Sequence, residues 1–479
     1  MNIYLNGEVF KEERPLIEVT NPANGALLGT IPDMNEKDID LAVDAAREAY
    51  KTWGKMSQRD RSNCMEKAAA LIDRDTDELA KLLSQENGKT VAEAAGEIAF
   101  TALICKQFAE LANHLYGNTL PKGSEYAGDF HNATFTRRDP VGVFVGILPF
   151  NYPPALFAYK LAPALTVGNT VICKPPTDCP LAVIKMVELF YEAGVPRKAL
   201  QIVTGRGSGC VGDYLSGHPG INMISVTGSV AVGTRIYQNA AKNLTRVFCE
   251  LGANDAFIVL DDADVDLAAK EVIGSRVANN GQICCGSKRF LIHKDVKEEF
   301  IKKLIGYLES DVRMGDPADP NSTIGCLISE KAAIRVEEQV NHTISQGAKL
   351  IYGGKRDGAF YGPTILTDVT KDMDVAKDME IFGPVVPIIE ISSDEEALEI
   401  VNQCSFGLSG GVFSRDLKRA MTIASNAETC TMVINGGSDC RSPELAFGGF
   451  KKSGIGREGI SRTLEEMTQE KNFVLKNVW

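Results

Sequence analysis

The chain has 479 residues, of which 44% are hydrophobic and 24% are charged, and its formal net charge is −12. This length predicts two or three domains. The acidic balance argues against nucleic-acid binding, and no apolar run is long enough to predict a membrane span. The N-terminus lacks the basic start and apolar core of a signal peptide, which favours a cytoplasmic location.

From residue 36 to about 116, apolar residues recur at three- and four-residue spacing, which predicts helices. From residue 140, short buried strands alternate with helices. Strands are predicted at 141–150, 170–175, 200–205 and 223–228, and helices at 153–166, 180–193, 208–216 and 229–241. This alternation predicts a parallel, doubly wound α/β sheet, which binds ligands at the carboxyl ends of its strands.

A second α/β series begins near residue 250. Strands are predicted at 255–260, 289–293 and 382–391, and helices at 265–279, 295–309 and 329–346. The tail KNFVLKNVW (471–479) alternates like a strand but has no partner close in sequence. It is expected to pair with another region, for which the polar hairpin at 120–139 is the candidate, or with another subunit.

The twelve cysteines and five histidines show no spacing typical of metal ligands, and no CxxC pair is present. We therefore predict no metal site. Disulfides are not expected in a long cytosolic chain, so most of the cysteines should be reduced and buried.

Two turns follow predicted strands and open predicted helices: VTGRGSG (203–209) and VTGSVAVG (226–233). Neither matches a GxGxxG or P-loop pattern. Ser229 stands where a helix N-cap would be, and a helix N-terminus there could hold a pyrophosphate. An ordinary strand-to-helix turn is the alternative interpretation.

Three stretches carry side chains capable of chemistry. The adjacent Cys284 and Cys285 lie between glycines in ANNGQICCGSKRF (278–290), and they are either a nucleophile at a turn or small buried hydrophobes. Glu250 ends an apolar strand, where a carboxylate is costly unless it is used, for example as a general base. Asn151 in PFNYP is a candidate oxyanion donor or a turn residue before proline.

Seven motifs occur in one order along nearly the whole chain. They are PFNYP (149–153), TVICKPPT (170–177), VTGSVAVG (226–233), ELGAND (250–255), NNGQICC (279–285), EIFGPV (380–385) and FGGFKKSGIGREG (447–459). Together they resemble the aldehyde dehydrogenase superfamily, which oxidises aldehydes to acids with NAD or NADP. The resemblance implies a Rossmann-type cofactor domain (1–119 and 140–250), an α/β catalytic domain (251–454) and a small β oligomerisation flap (120–139 and 462–479). It also implies a homodimer or homotetramer.

The resemblance assigns the catalytic roles residue by residue. The cysteine after Gly-Gln-x, Cys284, is the expected nucleophile, whereas Cys285 is expected to pack. The Asn151 side chain and the Cys284 N–H are expected to hold the oxyanion of the thiohemiacetal. Hydride transfer then leaves a thioester, which a water molecule activated by Glu250 hydrolyses. Lys160 stands on the helix after Asn151, where the family also has a lysine.

The cofactor contacts are carried over in the same way. Lys174 is expected to hold the adenine ribose, and Gly207 to lie beside the adenine. Ser229 is the expected phosphate contact, and Glu380 and Phe382 are expected to position the nicotinamide and its ribose. Thr177 stands where NAD-preferring members carry a glutamate, which would bind a ribose 2′-hydroxyl and repel a 2′-phosphate. NADP is therefore the expected cofactor, with NAD as a possible second one.

The substrate prediction is less specific. The residues expected to face the aldehyde are Tyr152, Leu156, Tyr159 and Arg441. Arg441 could pair with a substrate carboxylate or phosphate, although a solvated loop arginine is the favoured interpretation. The chain resembles the succinate-semialdehyde, lactaldehyde and non-phosphorylating glyceraldehyde-3-phosphate branches. The last branch has arginine before the nucleophile, where this chain has Ile283, so a short aliphatic aldehyde or semialdehyde ranks first.

Two rival functions come from other classes. A CoA-acylating aldehyde dehydrogenase would pass the acyl group to CoA, but such members generally lack the glutamate that Glu250 matches. A binding protein without activity would be expected to have lost Cys284, Asn151 or Glu250, whereas all three are present.

Overall fold

The computed structural model describes residues 3–123, 131–207 and 210–478. The predicted insertion at 120–139 and the turn VTGRGSG therefore lie partly outside the described residues. Short strands come first: β1 Tyr4–Leu5, β2 Glu8–Val9, β3 Leu16–Thr20 and β4 Leu27–Pro32. The predicted helical region follows as α1 Glu36–Trp53, α2 Gln58–Arg74, α3 Thr76–Asn87 and α4 Val91–Leu111.

Local sequence explains where these helices begin and end. Helix α4 starts at a capping box, in which the Thr90 side chain accepts from the Glu93 N–H and Glu93 accepts from the Thr90 N–H. Helix α3 ends at Gly88, which has a left-handed φ of 92°. The space around Gly88 is crowded, since a Cβ on this residue would lie 2.7 Å from the Cys326 Sγ.

The first large sheet has the order β22-β10-β9-β6-β7-β8. Its strands are β6 Val143–Ile147, β7 Thr170–Lys174, β8 Leu200–Ile202, β9 Met223–Thr227, β10 Arg246–Glu250 and β22 Gly454–Ile455. Between them run α5 Pro153–Thr166, α6 Leu181–Glu192, α7 Cys210–Gly217 and α8 Val230–Ala241. All neighbouring strands are parallel except β22, which is antiparallel to β10. The predicted doubly wound pattern is confirmed here.

The second large sheet has the order β13-β16-β17-β12-β11-β19-β20. Its strands are β11 Ala256–Val259, β12 Arg289–His293, β13 Lys349–Tyr352, β16 Thr364–Val369, β17 Val385–Ile391, β19 Gly410–Phe413 and β20 Val433–Ile434. The short strands β14 Arg356–Asp357, β15 Phe360–Tyr361, β18 Phe406–Gly407 and β21 Phe450–Lys451 form separate pairs. The helices are α9 Val265–Val272, α10 Lys297–Asp311, α11 Glu330–Ser345, α12 Asp394–Asn402, α13 Leu417–Asn426 and α14 Ile460–Glu466.

One predicted helix is shorter than its pattern indicates. The helix expected at 265–279 ends at Val272 and passes into a π-helical turn at Ile273–Val277. Asn279, Asn280 and Gly281 then adopt left-handed φ values of 49°, 53° and 71°. A Cβ on Gly281 would lie 2.3 Å from the Gly383 carbonyl oxygen, so no larger side chain fits. Left-handed backbone at two consecutive asparagines is strained, and this strained turn lies directly before the segment that carries Cys284.

The C-terminal strand finds its partner within the same chain. Strand β23 (Thr468–Leu475) pairs antiparallel with β5 (Ala133–Pro140), and the rings of Phe135 and Phe473 stack with centroids 4.9 Å apart. The expected pairing of the tail with the inserted segment is therefore observed in its described part. In the described ranges, no helix is long and apolar enough to cross a membrane.

Candidate active site

The three predicted catalytic residues lie near the ends of strands: Glu250 and Asn151 at or after a carboxyl end, and Cys284 shortly before a strand begins. Glu250 is the last residue of β10, between Thr227 of β9 and Gly454 of β22. Its carbonyl accepts a hydrogen bond of 3.0 Å from the Gly228 N–H. Asn151 lies in the turn between β6 and α5, and Cys284 lies between the left-handed turn and β12. The two sheets therefore bring the three residues together from distant parts of the chain.

Cys284 packs at the edge of a small apolar cluster. The cluster consists of Ala253, Ile283, Cys285, Leu408 and Phe447, with Tyr152 and Ala278 beside it. A hydrogen bond with the Cys285 thiol, and the positive charges of Arg441 and Lys288, lower the pKa of the Cys284 thiol to about 6 although burial opposes this shift. The pKa of Cys285 is raised, first by the same hydrogen bond and then by burial. Cys284 is partly exposed whereas Cys285 is buried, so Cys284 is the more accessible thiol of the pair.

Asn151 is held against the nucleophile loop. Its side chain is buried, and Nδ2 donates a hydrogen bond of 3.0 Å to the carbonyl of Gln282. The backbone carbonyl of Asn151 accepts hydrogen bonds from Lys89 Nζ at 2.8 Å and from Asn279 Nδ2 at 3.1 Å. An amide nitrogen carries two N–H groups, so one of them can serve a ligand oxygen while the other fixes the side chain.

Lys89 and its partners were not found by sequence analysis. Lys89 Nζ lies 2.6 Å from the carboxylate of Glu97, and both side chains are 1% exposed. The same ammonium group lies 4.1 Å from the ring centroid of Tyr152. One turn earlier on α4, Glu93 accepts a hydrogen bond of 2.7 Å from the Asn279 N–H. The start of α4 thus supports both Asn151 and the strained turn, and only the capping-box pattern could have drawn attention to it.

Glu250 is a buried carboxylate without a hydrogen-bond partner. Neither Oε1 nor Oε2 has one among the residues that the structure describes. Burial, and then the negative charge of Glu458, raise its pKa to about 8, while Arg441 and Lys160 act in the opposite direction. A carboxylate left in this state is free to accept a proton from a water molecule.

Glu458 lies near Glu250 and binds two cations. Lys160 Nζ donates to Glu458 Oε1 and also to Ser225 Oγ at 3.1 Å, and Arg441 Nη2 donates to Glu458 Oε2 at 2.7 Å. These cations hold the pKa of Glu458 below its usual range against the effect of burial. The GREG motif contains Glu458, but nothing local to that motif indicates its two partners.

The favoured interpretation of Arg441 as a solvated loop residue is wrong. Its side chain is only 16% exposed. The guanidinium carbon lies 4.0 Å from the ring centroid of Tyr159 and 4.3 Å from that of Phe447. Arginine stacks readily on aromatic faces, and the tertiary structure supplies two of them together with the carboxylate of Glu458. Arg441 Nε and the hydroxyl of Tyr159 have no hydrogen-bond partner within the described ranges.

The other expected pocket residues lie on one helix. Tyr152 precedes α5, and Leu156 and Tyr159 are buried within it. Only Tyr152 packs beside the apolar cluster that contains Cys284. Tyr159 meets Arg441, which also stacks on Phe447 of that cluster, whereas Leu156 packs in the core of the first sheet. In the described part of the chain, no group of three or more His, Cys, Asp or Glu side chains is arranged to hold a metal ion.

Two of the expected cofactor residues form one small network. Lys174 ends β7, and burial lowers its pKa to about 8. Its Nζ donates to Thr177 Oγ1 at 3.2 Å, and Thr177 Oγ1 donates to the Gly205 carbonyl at 3.0 Å. The next residue, Arg206, has a 65% exposed side chain, and sequence analysis did not single it out.

The expected phosphate and adenine contacts lie on the neighbouring loops. Ser229 caps α8, and its Oγ accepts from the Val232 N–H at 3.4 Å. Gly207 is exposed in the loop after β8. These loops thus combine a helix N-terminus, an ammonium group, a hydroxyl and an exposed guanidinium, which are donors for an anionic dinucleotide. One carboxylate, that of Asp33, also lies here and accepts from the Arg206 N–H at 3.1 Å.

Glu380 contacts both catalytic loops. Its Oε1 accepts from the Ala253 N–H at 3.3 Å and lies 3.5 Å from Lys288 Nζ. A Cβ on Gly252 would lie 2.7 Å from Glu380 Oε2, so a larger residue at that position would displace the Glu380 carboxylate. The ring of Phe382 meets that of Phe150 edge to face at 5.9 Å.

Comparisons with known proteins find relatives that match this chain over nearly its whole length. Residues 9–473 match the model of the aldehyde dehydrogenase family. Glutarate-semialdehyde dehydrogenase of Pseudomonas putida is 36% identical over 98% of this chain and 96% of its own. Succinate-semialdehyde dehydrogenase [NADP(+)] of Escherichia coli is 36% identical over 95% of this chain and 93% of its own. The crystal structure of NADP-dependent glyceraldehyde-3-phosphate dehydrogenase from Bacillus halodurans, complexed with NADP, superposes with a TM-score of 0.96 at 37% identity, over 99% of both chains. The expected α/β fold and the family resemblance are confirmed.

Proposed function

Because the chain belongs to the aldehyde dehydrogenase family, we propose that it oxidises a short aliphatic aldehyde or semialdehyde, such as succinate semialdehyde, to the carboxylic acid with NADP as the preferred cofactor. The observation that carries the proposal is the pairing of two unlike groups in one buried site. The pKa of Cys284 is lowered by its hydrogen bond with Cys285 and then by the charges of Arg441 and Lys288. Glu250 is a carboxylate without a hydrogen-bond partner among the described residues. A nucleophile and a separate base are what hydrolytic acyl chemistry needs.

In the proposed first step, the Cys284 thiolate adds to the aldehyde carbon. The free N–H of the Asn151 side chain donates to the oxyanion that develops, while the hydrogen bonds from Lys89 and Asn279 to the Asn151 carbonyl keep this residue in place. NADP supplies the acceptor for the hydride that leaves the thiohemiacetal carbon. Loss of the hydride leaves the acyl group on Cys284 as a thioester.

In the second step, Glu250 takes a proton from a water molecule, and the resulting hydroxide attacks the thioester carbon. The C–S bond breaks, the acid is released and the Cys284 thiolate is restored. Glu250 must be ionised to act, and its pKa of about 8 predicts that hydrolysis accelerates as the pH rises towards that value. Glu458 stays ionised through Lys160 and Arg441, and its negative charge contributes to the raised pKa of Glu250.

The cofactor assignment is supported by the residues around Lys174. Thr177 offers a hydroxyl where a carboxylate would repel a 2′-phosphate. The exposed Arg206 follows Gly205, whose carbonyl accepts from Thr177, and is proposed to pair with that phosphate in place of Asp33, which lies 3.9 Å from its Nε. Ser229 at the start of α8 is proposed to receive the pyrophosphate. Glu380 and Phe382 are proposed for the nicotinamide side, and Gly207 for the adenine. Since nothing here rejects a 2′-hydroxyl, NAD remains a possible second cofactor.

The substrate assignment is supported by two unpartnered donors. Arg441 Nε and the Tyr159 hydroxyl are both buried beside Glu250, so a substrate with an oxygen-bearing tail would satisfy them. Glyceraldehyde-3-phosphate is the second candidate, favoured by similarity to the B. halodurans enzyme. The apolar Ile283 before the nucleophile favours a smaller, less charged aldehyde. A CoA-acylating activity is the remaining alternative, and the retained Glu250 argues against it.

We also propose a homodimer or homotetramer in the cytoplasm. The paired strands β5 and β23 expose Phe135, Val474 and Leu475, which a second copy would cover. The cysteines in the described ranges are free thiols, as is usual in a reducing compartment. The proposed organisation keeps the cofactor domain at 1–119 and 140–250, the catalytic domain at 251–454, and the flap at 120–139 and 462–479.

A rate screen tests the proposal. Succinate semialdehyde, lactaldehyde, glyceraldehyde-3-phosphate, a medium-chain aldehyde and benzaldehyde are each offered to the purified chain with NAD and with NADP, with and without CoA. We expect the highest kcat/KM for a short semialdehyde with NADP and no need for CoA. A reaction that requires CoA would replace hydrolysis by acylation, and a preference for glyceraldehyde-3-phosphate would promote the second candidate.

A further inference from the structure

Lys288 lies four residues after Cys284, and its side chain turns back into the loop that carries the nucleophile. Nζ donates to the carbonyl oxygen of Cys284 and, at 3.1 Å, to that of Gly286. The side chain is 1% exposed. A buried ammonium group is costly unless its N–H groups are satisfied, and two of its three donors here are used on the backbone of the nucleophile turn.

Lys288 Nζ also lies near Glu380, which is one of the expected cofactor contacts. Glu380 Oε1 lies 3.5 Å from Lys288 Nζ, and the same oxygen accepts the Ala253 N–H at 3.3 Å. Glu380 is 23% exposed, in contrast to Lys288. One partly accessible carboxylate is therefore linked to the Cys284 turn through Lys288 and to the loop after Glu250 through Ala253.

We propose that Lys288 is a positioning residue that transmits occupancy at Glu380 to the reactivity of Cys284. The inference rests on the proposed function, because it takes Glu380 as a ligand of the cofactor. Without a ligand, Glu380 neutralises part of the Lys288 charge. A ribose hydroxyl that donates to Glu380 competes for this carboxylate, so that the positive charge acts more fully on the thiolate. Charges are weakly screened in a buried site, and the effect is correspondingly large.

Other groups also act on Cys284, and the test must separate them from Lys288. The groups that face it are the thiol of Cys285, the cation of Arg441 and the carboxylates of Glu380, Glu250 and Asp255, with Tyr152 close by. Of the two cations, Lys288 is bonded to the backbone of Cys284, whereas Arg441 is bonded to Glu458. Removing Lys288 therefore changes the link to Glu380 and leaves the pair of Arg441 and Glu458 intact.

The experiment measures the rate at which iodoacetamide alkylates Cys284 as a function of pH, with and without saturating NADP. The full chain is used, mass spectrometry identifies the modified cysteine, and Cys284→Ala gives the background. In the unmodified protein, we expect NADP to lower the midpoint of the profile by about 0.5–1 pH unit. Lys288→Met should raise the midpoint by about 1 pH unit, which is about tenfold slower alkylation at low pH, and should abolish most of the response to NADP.

Glu380→Gln provides the opposite perturbation. It frees Lys288 from its counter-ion, so we expect a lower midpoint without cofactor and little further change with NADP. In the Lys288→Met background, the same substitution should have much less effect. Lys302→Met, at an exposed position on α10, is the matched control, and its profile should coincide with that of the unmodified chain.

A purely structural role for Lys288 would reduce the folded fraction but leave the midpoint and its response to NADP unchanged, and that result would overturn the proposal. The proposal would also be overturned if Glu380→Gln shifted the alkylation midpoint by the same amount in the Lys288→Met background, since Glu380 would then act directly on Cys284. If Lys288→Met does not fold, an unchanged or higher midpoint in Glu380→Gln alone is sufficient to refute the link. Alkylation needs no aldehyde. If the expected midpoint shifts are found in a chain that oxidises no aldehyde, the proposed aldehyde oxidation is refuted, but the link from Glu380 through Lys288 to Cys284 stands.

Discussion

Glu250→Gln is expected to impair catalysis and, at the same time, to increase the stability of the folded chain. It should remove the base that hydrolyses the thioester, and it should make the folded chain more stable. The second expectation follows from the burial of a carboxylate that has no hydrogen-bond partner and whose pKa is raised to about 8, above its ordinary value of 4.5. Glutamine has the same shape but no charge to desolvate.

The size of the stability effect follows from this shift in pKa. Below pH 4.5 the carboxyl is protonated in both states and costs nothing. As the pH rises through the interval to about 8, folding must take up a proton, so the free energy of unfolding falls by about 1.4 kcal/mol per pH unit. The limit is about 5 kcal/mol, and relaxation and water entry should reduce it to about 1–3 kcal/mol at pH 8. For a chain of this length, the melting temperature should rise by about 1–3 °C.

Two assays on the same preparation check both effects. Rapid mixing with aldehyde and NADP should show a burst of reduced cofactor in Glu250→Gln, followed by turnover that is about 10²–10⁴-fold slower. Melting curves at pH 6 and pH 8 should show a stabilisation that grows with pH. Glu458→Gln is the matched control, because it leaves Lys160 and Arg441 without a counter-ion and should destabilise the chain by about 3–5 kcal/mol.

The reasoning would be refuted by either of two results. Steady-state turnover close to that of the unmodified chain would show that Glu250 is not the base. A melting temperature that falls in Glu250→Gln, or that rises equally at both pH values, would show that the ionised carboxylate is compensated within the folded protein and that its burial has been misjudged.

The other predictions concern the nucleophile, the cofactor and the support of Asn151. Cys284→Ala should abolish oxidation while Cys285→Ala keeps most of it, and the reverse result would reassign the nucleophile. Thr177→Glu should raise the ratio of kcat/KM for NAD over NADP by about tenfold or more through repulsion of the 2′-phosphate, and an unchanged ratio would discard the specificity argument. Lys89→Met should cost about 3–5 kcal/mol of stability because it leaves Glu97 buried and unpaired. Lys51→Met, at an exposed position, should lower the free energy of unfolding by less than about 1 kcal/mol. Chemical denaturation measures both variants, and equal losses in Lys89→Met and Lys51→Met would contradict the prediction.

Much of the architecture could be predicted because its signals are local. Helix α5 occupies the predicted 153–166, and β12 the predicted 289–293, because apolar periodicity and Pro153 at the helix start are properties of contiguous sequence. The helix predicted at 265–279 ends early, at Val272, although its apolar pattern continues. The chain passes into a π-helical turn and then into left-handed backbone, where a Cβ on Gly281 would meet the carbonyl of the distant Gly383, a contact that the local pattern does not reveal.

The order of seven motifs was enough to identify the family and, with it, Cys284, Asn151 and Glu250 as the residues to examine. Their environments were decided only by the tertiary structure. Arg441 was expected to be a solvated loop residue because exposed arginines are common, yet folding places it against the rings of Tyr159 and Phe447.

Sequence by itself determined the two α/β series and singled out the candidate reactive side chains, since each depends on short stretches of chain. Tertiary structure alone decided which charges meet in the buried site. Lys160 and Glu458 are 298 residues apart, and the Cys284 turn meets Glu380 through Lys288 from a different segment. Electrostatic interaction depends on distance in space and on burial, and neither quantity is written in the order of residues.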